Sequence, residues 1–227
     1  MIEKESDSHA QAFGGLAMIG PHLVYFADPM CSWCWGFSPV ITAIGERFSQ
    51  TLPIRLVMGG LRPGTAKPTD ETSKASTRSH WEHVRKASGQ PFDFAFFERE
   101  TFVYDTEPPS RAVVVARRRS MAGALAMLRR IHAAFYAGNR DVTATATLTG
   151  IAVELGFEAA EFRAEFDAVP AVKETRSDFA LSRSAGISGF PTLIAGRGDG
   201  TSYDLITCGF QPAELILPAL ERWLAEA

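Results

Sequence analysis

His22-Leu23-Val24-Tyr25-Phe26-Ala27, followed by Asp28-Pro29-Met30-Cys31-Ser32-Trp33-Cys34, is the stretch on which the reading of this chain turns. Residues 22–27 form a short apolar run with β-branched and aromatic side chains, the composition of a buried strand. Pro29 ends it, because proline cannot serve an interior ladder. Beyond Cys31, the residues Phe37, Ile41, Ile44 and Phe48 fall on one helical face. Pro39 is interior to that segment and should kink it. The stretch therefore predicts strand, tight turn and helix, with both cysteines in the first helical turn.

That placement carries chemistry. Two cysteines three apart close a disulfide only where the backbone turns tightly, as it does at a helix start. A helix N-terminus holds about half a positive charge and several unpaired N–H groups. Both favour a thiolate on Cys31, the attacking species in disulfide exchange. Cys34, one turn in, is better shielded and suited to resolve the mixed disulfide. Half a zinc site is the competing reading, but structural zinc wants four ligands and a second close pair is missing. Coincidental buried cysteines are the bland one. Ser32-Trp33 supplies no histidine or lysine to steady a thiolate, so we expect a less oxidising pair than in strongly oxidising dithiol proteins.

Working outward, residues 53–58 read as a second strand closed by Gly59-Gly60. Residues 61–80 are rich in Pro, Thr, Ser and Gly and read as a loop. Residues 81–106 read as aromatic-rich helical turns, and Pro108-Pro109 opens a long helix through Tyr136. Helices follow near 143–155, 158–168 and 170–184. Gly189-Phe190-Pro191 is then a turn, 192–195 a strand, 196–200 a hairpin loop and Tyr203 to Cys208 its partner strand. Pro212 opens a terminal helix in which Pro218 should cause a bend or a late start. Phe190-Pro191 is the usual kind of place for a cis peptide. A cis proline ahead of a strand can leave Phe190 with free backbone groups, an edge for an extended peptide beside the cysteines.

Composition narrows the class. With 227 residues, 46% hydrophobic and 22% charged, one globular unit with a sizeable core is expected. A net charge of -3 gives no field for nucleic acid. Arg117, Arg118 and Arg119 read as a solvated helix face. No apolar run approaches the ~20 residues of a membrane helix. The start, Glu3-Lys4-Glu5-Ser6-Asp7, is acidic where a secretory signal is basic, so residues 1–20 read as a poorly ordered leader and the cytoplasm is the expected compartment. The three cysteines, an odd count, argue against a structural disulfide framework there. No metal is expected.

Asp28-Pro29-Met30-Cys31-Ser32-Trp33-Cys34-Trp35-Gly36-Phe37 resembles the active-site stretch of DsbA-like thioredoxin-fold proteins. More narrowly, it resembles the bacterial group labelled predicted protein-disulfide isomerases. The stretches 102–109 and Gly189-Phe190-Pro191-Thr192 are similar to other parts of that group. The resemblance implies an α/β fold: a thioredoxin-like core from 21–64 and 186–227, with an inserted all-helical domain over 65–185. It implies Cys31 as nucleophile, Cys34 as resolving cysteine and Pro191 as cis-proline. Protein or small-molecule thiols and disulfides would be the partners. The redox-active disulfide itself would serve, without a bound cofactor, and glutathione is a candidate co-substrate.

Among the remaining residues, Trp33 is expected to be partly exposed and to contact substrate with Phe190 and Pro191. Trp35 should face the helical block. Cys208 reads as a small buried hydrophobe, and His80 and His83 as exposed. Asp28 and Glu107 are either proton acceptors near the thiols or a turn residue and a helix-start acid. Two rival functions stand beside the oxidoreductase. One is a glutathione-dependent isomerase or transferase of the kappa type on the same fold. The other is a non-enzymatic client-binding chaperone module using the phenylalanines of 92–102.

Overall fold

The computed structural model describes residues 18–198 and 202–226. Most of the expected leader and the tip of the expected hairpin loop lie outside those residues. Four strands form one sheet: β1 (His22–Ala27), β2 (Ile54–Met58), β3 (Thr192–Gly196) and β4 (Tyr203–Cys208), in the order β2-β1-β3-β4. β1 runs parallel to β2 and antiparallel to β3, and β3 is antiparallel to β4. A parallel pair needs a crossover. Here it is α1 (Ser32–Phe48), with Pro39 inside it. All six residues of β1 are buried, as a central strand covered on both faces requires.

Every described helix between β2 and β3 belongs to one long excursion: α2 (Glu71–Ser88), α3 (Glu107–Arg119), α4 (Met121–His132), α5 (Thr145–Glu154), α6 (Ala159–Asp167) and α7 (Val169–Ser184). The terminal helix, α8 (Ala213–Ala225), runs through Pro218. This is the expected α/β core carrying a helical insertion. One detail refines it. α7 lies inside the stretch 65–185, yet Leu181, at its C-terminal end, packs with Ala185 and Ile187 on the second face of the sheet, over Val24, Phe26, Val57 and Ile194. Arg117 of α3 ties that helix down: Nη1 meets Asp178 Oδ2 at 2.6 Å and donates to the Leu56 carbonyl at 3.0 Å. Asp178 also accepts from the Met58 N–H at 2.9 Å. Removing Arg117 would leave the buried Asp178 carboxylate without its counter-charge.

Three sequence readings are corrected. Residues 61–80 are not all loop. α2 starts at Glu71, because the Asp70 side chain accepts the Ser73 N–H at 2.8 Å and caps the helix. Only Trp81 and Val84 of α2 are buried, so its apolar stripe is too thin to stand out in the sequence. Residues 81–106 are mostly irregular after α2, with one 3₁₀ turn at Phe94–Glu98. Their rings gather on Trp81, with Phe92, Phe96, Phe97, Phe135 and Tyr136 centred 4.9–5.8 Å away. The long helix through Tyr136 is broken at Ser120, whose side chain caps α4 by accepting the Gly123 N–H at 2.9 Å, and it ends in a π turn, Ala133–Ala137.

Candidate active site

The helix mouth is built as the sequence suggests. Cys31 is the N-cap of α1, with extended backbone (φ -93, ψ 116). Both cysteines are free and buried, Cys31 at 7% exposure and Cys34 at 0%. Burial comes first in pushing the Cys34 thiol well above its usual range, followed by its hydrogen bond to Cys31 and the Cys31 charge. One sulfur therefore faces outward at the positive end of a helix, and the other is held protonated behind it.

Phe190-Pro191 is a cis peptide. The Cys31 thiol donates to the Phe190 carbonyl at 3.4 Å, so the two chain segments named from the sequence do meet. Pro191 follows directly, and its own carbonyl accepts the Gly209 N–H at 2.7 Å. A cleft of about 300 Å³ opens over Cys31, lined by Trp33, Leu61, Arg62, His80, Tyr104 and Phe190 among others. Trp33 is half-buried between His80 (centroids 5.8 Å) and Phe210 (5.9 Å). Trp35 turns the other way, as expected, and its Nε1 donates to the Pro91 carbonyl at 3.0 Å.

Four residues position this site without any sequence signal of their own. Gly59 is one: a Cβ there would lie 2.2 Å from the Phe190 ring, so the bare backbone makes room for that ring. Tyr104 is another, its buried hydroxyl donating to the Met30 carbonyl at 2.8 Å, one residue before Cys31. His132 Nε2 meets the Asp28 carbonyl at 3.1 Å. Tyr25 lies fully buried beneath, near Cys34. The signal for Tyr104 and His132 was out of reach, since each comes from the insertion, 74 and 104 residues along the chain from its partner.

Asp28 sits at 0% exposure, and burial pushes its carboxyl up to about 6. Its oxygens accept the Met30 N–H (2.9 Å) and the Leu61 N–H (2.8 Å), which fixes the turn into the cysteines. Glu107 does not join it. That residue pairs with Arg111 at 3.0 Å and lines a separate cleft with Arg176 and Arg183. Cys208 is corrected as well. It is exposed on β4, because Thr207 takes the inward position and a strand alternates. His80 and His83 are exposed, and among the described residues no three His, Cys, Asp or Glu side chains gather as a metal site.

The arrangement suits thiol exchange: an outward sulfur, a shielded partner, a backbone carbonyl and a cleft for the other disulfide. Known proteins agree with the architecture. A candidate protein disulfide isomerase from Nitrosomonas europaea superposes with a TM-score of 0.83 at 37% identity, covering 91% of this chain and 98% of that one. The cytosolic disulfide reductase DsbM from Pseudomonas aeruginosa gives 0.75 at 29% identity, covering 91% and 100%. A curated relative, the ClpXP adapter protein SpxH of Halalkalibacterium halodurans, is 21% identical over 203 residues, 88% of this chain. The chain spans 66% of that relative's length, and 56% of the SpxH of Bacillus subtilis. The family described as the DSBA-like thioredoxin domain matches residues 22–220, and the chain belongs to that family.

Proposed function

We propose that this protein is a thiol-disulfide oxidoreductase or disulfide isomerase working through Cys31 and Cys34. One observation carries the reading: two free cysteines one turn apart at a helix mouth, the outer one 3.4 Å from a backbone carbonyl in an open cleft. Cys31 thiolate attacks a client disulfide, the bond between its sulfurs breaks, and one client thiolate leaves. Cys34 then attacks the Cys31 sulfur of the mixed disulfide, loses its proton and expels the second client thiolate. The client disulfide is reduced and the Cys31–Cys34 pair oxidised. Isomerisation follows when, instead of Cys34, a different client thiolate attacks the client sulfur of the mixed disulfide, forming a new client disulfide and releasing the Cys31 thiolate.

Trp33, Phe190 and Pro191 would form the substrate rim. An extended peptide or a small thiol such as glutathione fits a cleft of this size. The reductase DsbM was solved with glutathione, at 28% identity to this chain and a TM-score of 0.73, which supports the same class of partner here. That neighbour is cytosolic, and no helix among the described residues is long and apolar enough to cross a membrane. Both support a cytoplasmic role.

The test is direct. Oxidised protein digested without reductant should yield one peptide joining Cys31 to Cys34, and the protein should reduce insulin at the expense of glutathione. Failure of both sinks the proposal. A second reading, client or partner binding without turnover, is favoured by the adapter relatives. It predicts that the Cys31→Ala, Cys34→Ala variant keeps full binding of an unfolded client. The rings of 92–102 do not favour it, since Phe96 and Phe102 are buried and the others pack on Trp81 and its neighbours.

A further inference from the structure

Behind the cysteine pair, on the side away from the substrate cleft, lies a cavity of about 10 Å³. Cys34, Tyr25 and His132 line it, together with Ser38, Arg129 and three apolar side chains. Its volume is about what a single water needs. Two buried polar atoms of its lining are under-satisfied, in residues exposed by 0% and 1%: His132 Nδ1 has no partner, and the Tyr25 hydroxyl has none beyond the neighbouring Cys34 thiol. Unsatisfied groups so deep are rare in folded proteins and call for an explanation.

The tautomer of His132 follows from its other nitrogen. The Asp28 carbonyl can only accept, so the Nε2 that meets it at 3.1 Å carries the hydrogen. Nδ1 is then a bare lone pair. Tyr25 offers an O–H, His132 offers a base, and Cys34 holds the proton that must leave when it attacks. These are the two to four polar partners a buried water requires.

We propose that this cavity holds one water through which Cys34 passes its proton to His132 Nδ1 as it resolves the mixed disulfide. This rests on the dithiol reading above and adds a route for the proton. The step balances. The Cys34 S–H bond breaks as its sulfur bonds to Cys31, the Cys31–client bond breaks, and the client sulfur leaves with the electron pair. The water accepts the Cys34 proton while giving one of its own to Nδ1. Burial holds His132 down to about 4, so it releases that proton again rather than keeping it. The exit is short: Ser38 and Arg129 line both this cavity and an open groove of about 480 Å³ between α1 and α4. His132 and Tyr25 act here as positioning residues, since both work through the water.

The test separates the two attacks. A symmetrical nitrothiobenzoate disulfide releases one coloured thiolate when Cys31 attacks it and a second when Cys34 resolves the adduct. The protein should carry Cys208→Ser, since exposed Cys208 reacts too. Stopped-flow absorbance should show His132→Phe slowing the second release by on the order of 10²-fold, a usual size for a lost acid–base group. The first release should slow far less, by no more than the lost hydrogen bond from His132 to the Asp28 carbonyl disturbs the turn into Cys31. His132→Asn, which returns a hydrogen-bond acceptor near Nδ1 but no base, should leave the second release slow. Tyr25→Phe should slow the second release more than the first, by a smaller factor, and it keeps the ring should His132→Phe fail to fold. An unchanged second release in the variants that fold, or equal slowing of both releases, overturns the proposal. A single release from the protein with both cysteines intact overturns the dithiol reading instead, and this inference with it.

Discussion

The front and the rear of the cysteine pair are made of different material. In front, Trp33, His80, Arg62 and Phe190 line an open cleft, and Trp33 is held by ring contacts to His80 and Phe210, each worth about 0.5–1.5 kcal/mol. Behind, Cys34, Tyr25, Asp28 and His132 are all but fully buried. Hydrogen bonds at 2.8–3.1 Å hold Asp28 and His132. A soft rim admits clients of varied shape. A hard rear fixes the two sulfurs and the hydrogen-bonding groups around them. The contrast teaches that tolerance and chemistry are separated across one helix turn, so substitutions on the two sides should fail in different ways.

The largest effect is expected at the divide itself. Cys34→Ser should abolish turnover while Cys31 still forms client adducts, which mass spectrometry of the intact protein would reveal. Cys31→Ser should give neither turnover nor adducts. Adducts accumulating on Cys34 in that variant would break the front-and-rear distinction, because the inner sulfur would then be open to clients.

Next comes the rear turn. Asp28→Ala leaves the buried Met30 N–H without its acceptor and frees the Leu61 N–H. An orphaned buried donor costs about 1–3 kcal/mol, and the second bond adds less because its surroundings are part-exposed. Urea unfolding near pH 4, where Asp28 is protonated and carries no charge-burial penalty, should show a loss in that range. A neutral result would mean that the turn is fixed from elsewhere, by Tyr104 and His132.

The front is sharpened by Gly59→Ala. The new methyl must displace the Phe190 ring, and overpacking of this kind costs about 1–3 kcal/mol. Attack by Cys31 on a client disulfide should slow, because the Phe190 carbonyl beside it moves with the ring, whereas resolution by Cys34 should not. Equal slowing of both steps would show that front and rear move together.

The same divide explains what could be read in advance. β1, α1 and the Cys31–Cys34 pair are contiguous, and their periods and turn residues sit within one short stretch, so local rules suffice. Phe190 and Pro191 were recognisable because a proline ahead of a strand restricts the backbone by itself. Trp35 was placed by helical spacing, since it falls off the face that carries Phe37, Ile41, Ile44 and Phe48. The rear was not legible. Tyr104 and His132 reach the cysteines only through the folded insertion; Tyr104 lies in the stretch 102–109 that resembles the family, but nothing there gives its hydroxyl a role, and nothing near His132 distinguishes it from core. Gly59 was seen as a strand end, though its use is to leave space for a ring far along the chain. Cys208 was misplaced because an edge strand carries fewer inward positions than its apolar spelling suggests. α2 was missed because a cap and two buried residues are a weak pattern among Ser and Thr.

The smallest effect expected in the unaltered protein comes from two opposed titrations at the rear. Asp28 has its folded pKa raised, to about 6 from 3.8, so the stability it contributes is full below about 3.8 and is lost as pH rises through 6. His132 is lowered to about 4 from 6.5, so its contribution is full above about 6.5 and is lost as pH falls through 4. Each amounts to about 3 kcal/mol at about 1.4 kcal/mol per unit, with opposite sign over nearly the same range. Together they should leave the stability of the unaltered protein almost flat between pH 4 and 6.5 as far as these two groups decide it. His132→Asn should uncover the Asp28 slope, stabilising the protein toward acid relative to the parent, and Asp28→Ala should uncover the opposite slope. Chemical unfolding across that range measures both. Parallel curves for parent and variants would mean that neither group is as dry as the structure places it, and the rear would then be no harder than the front.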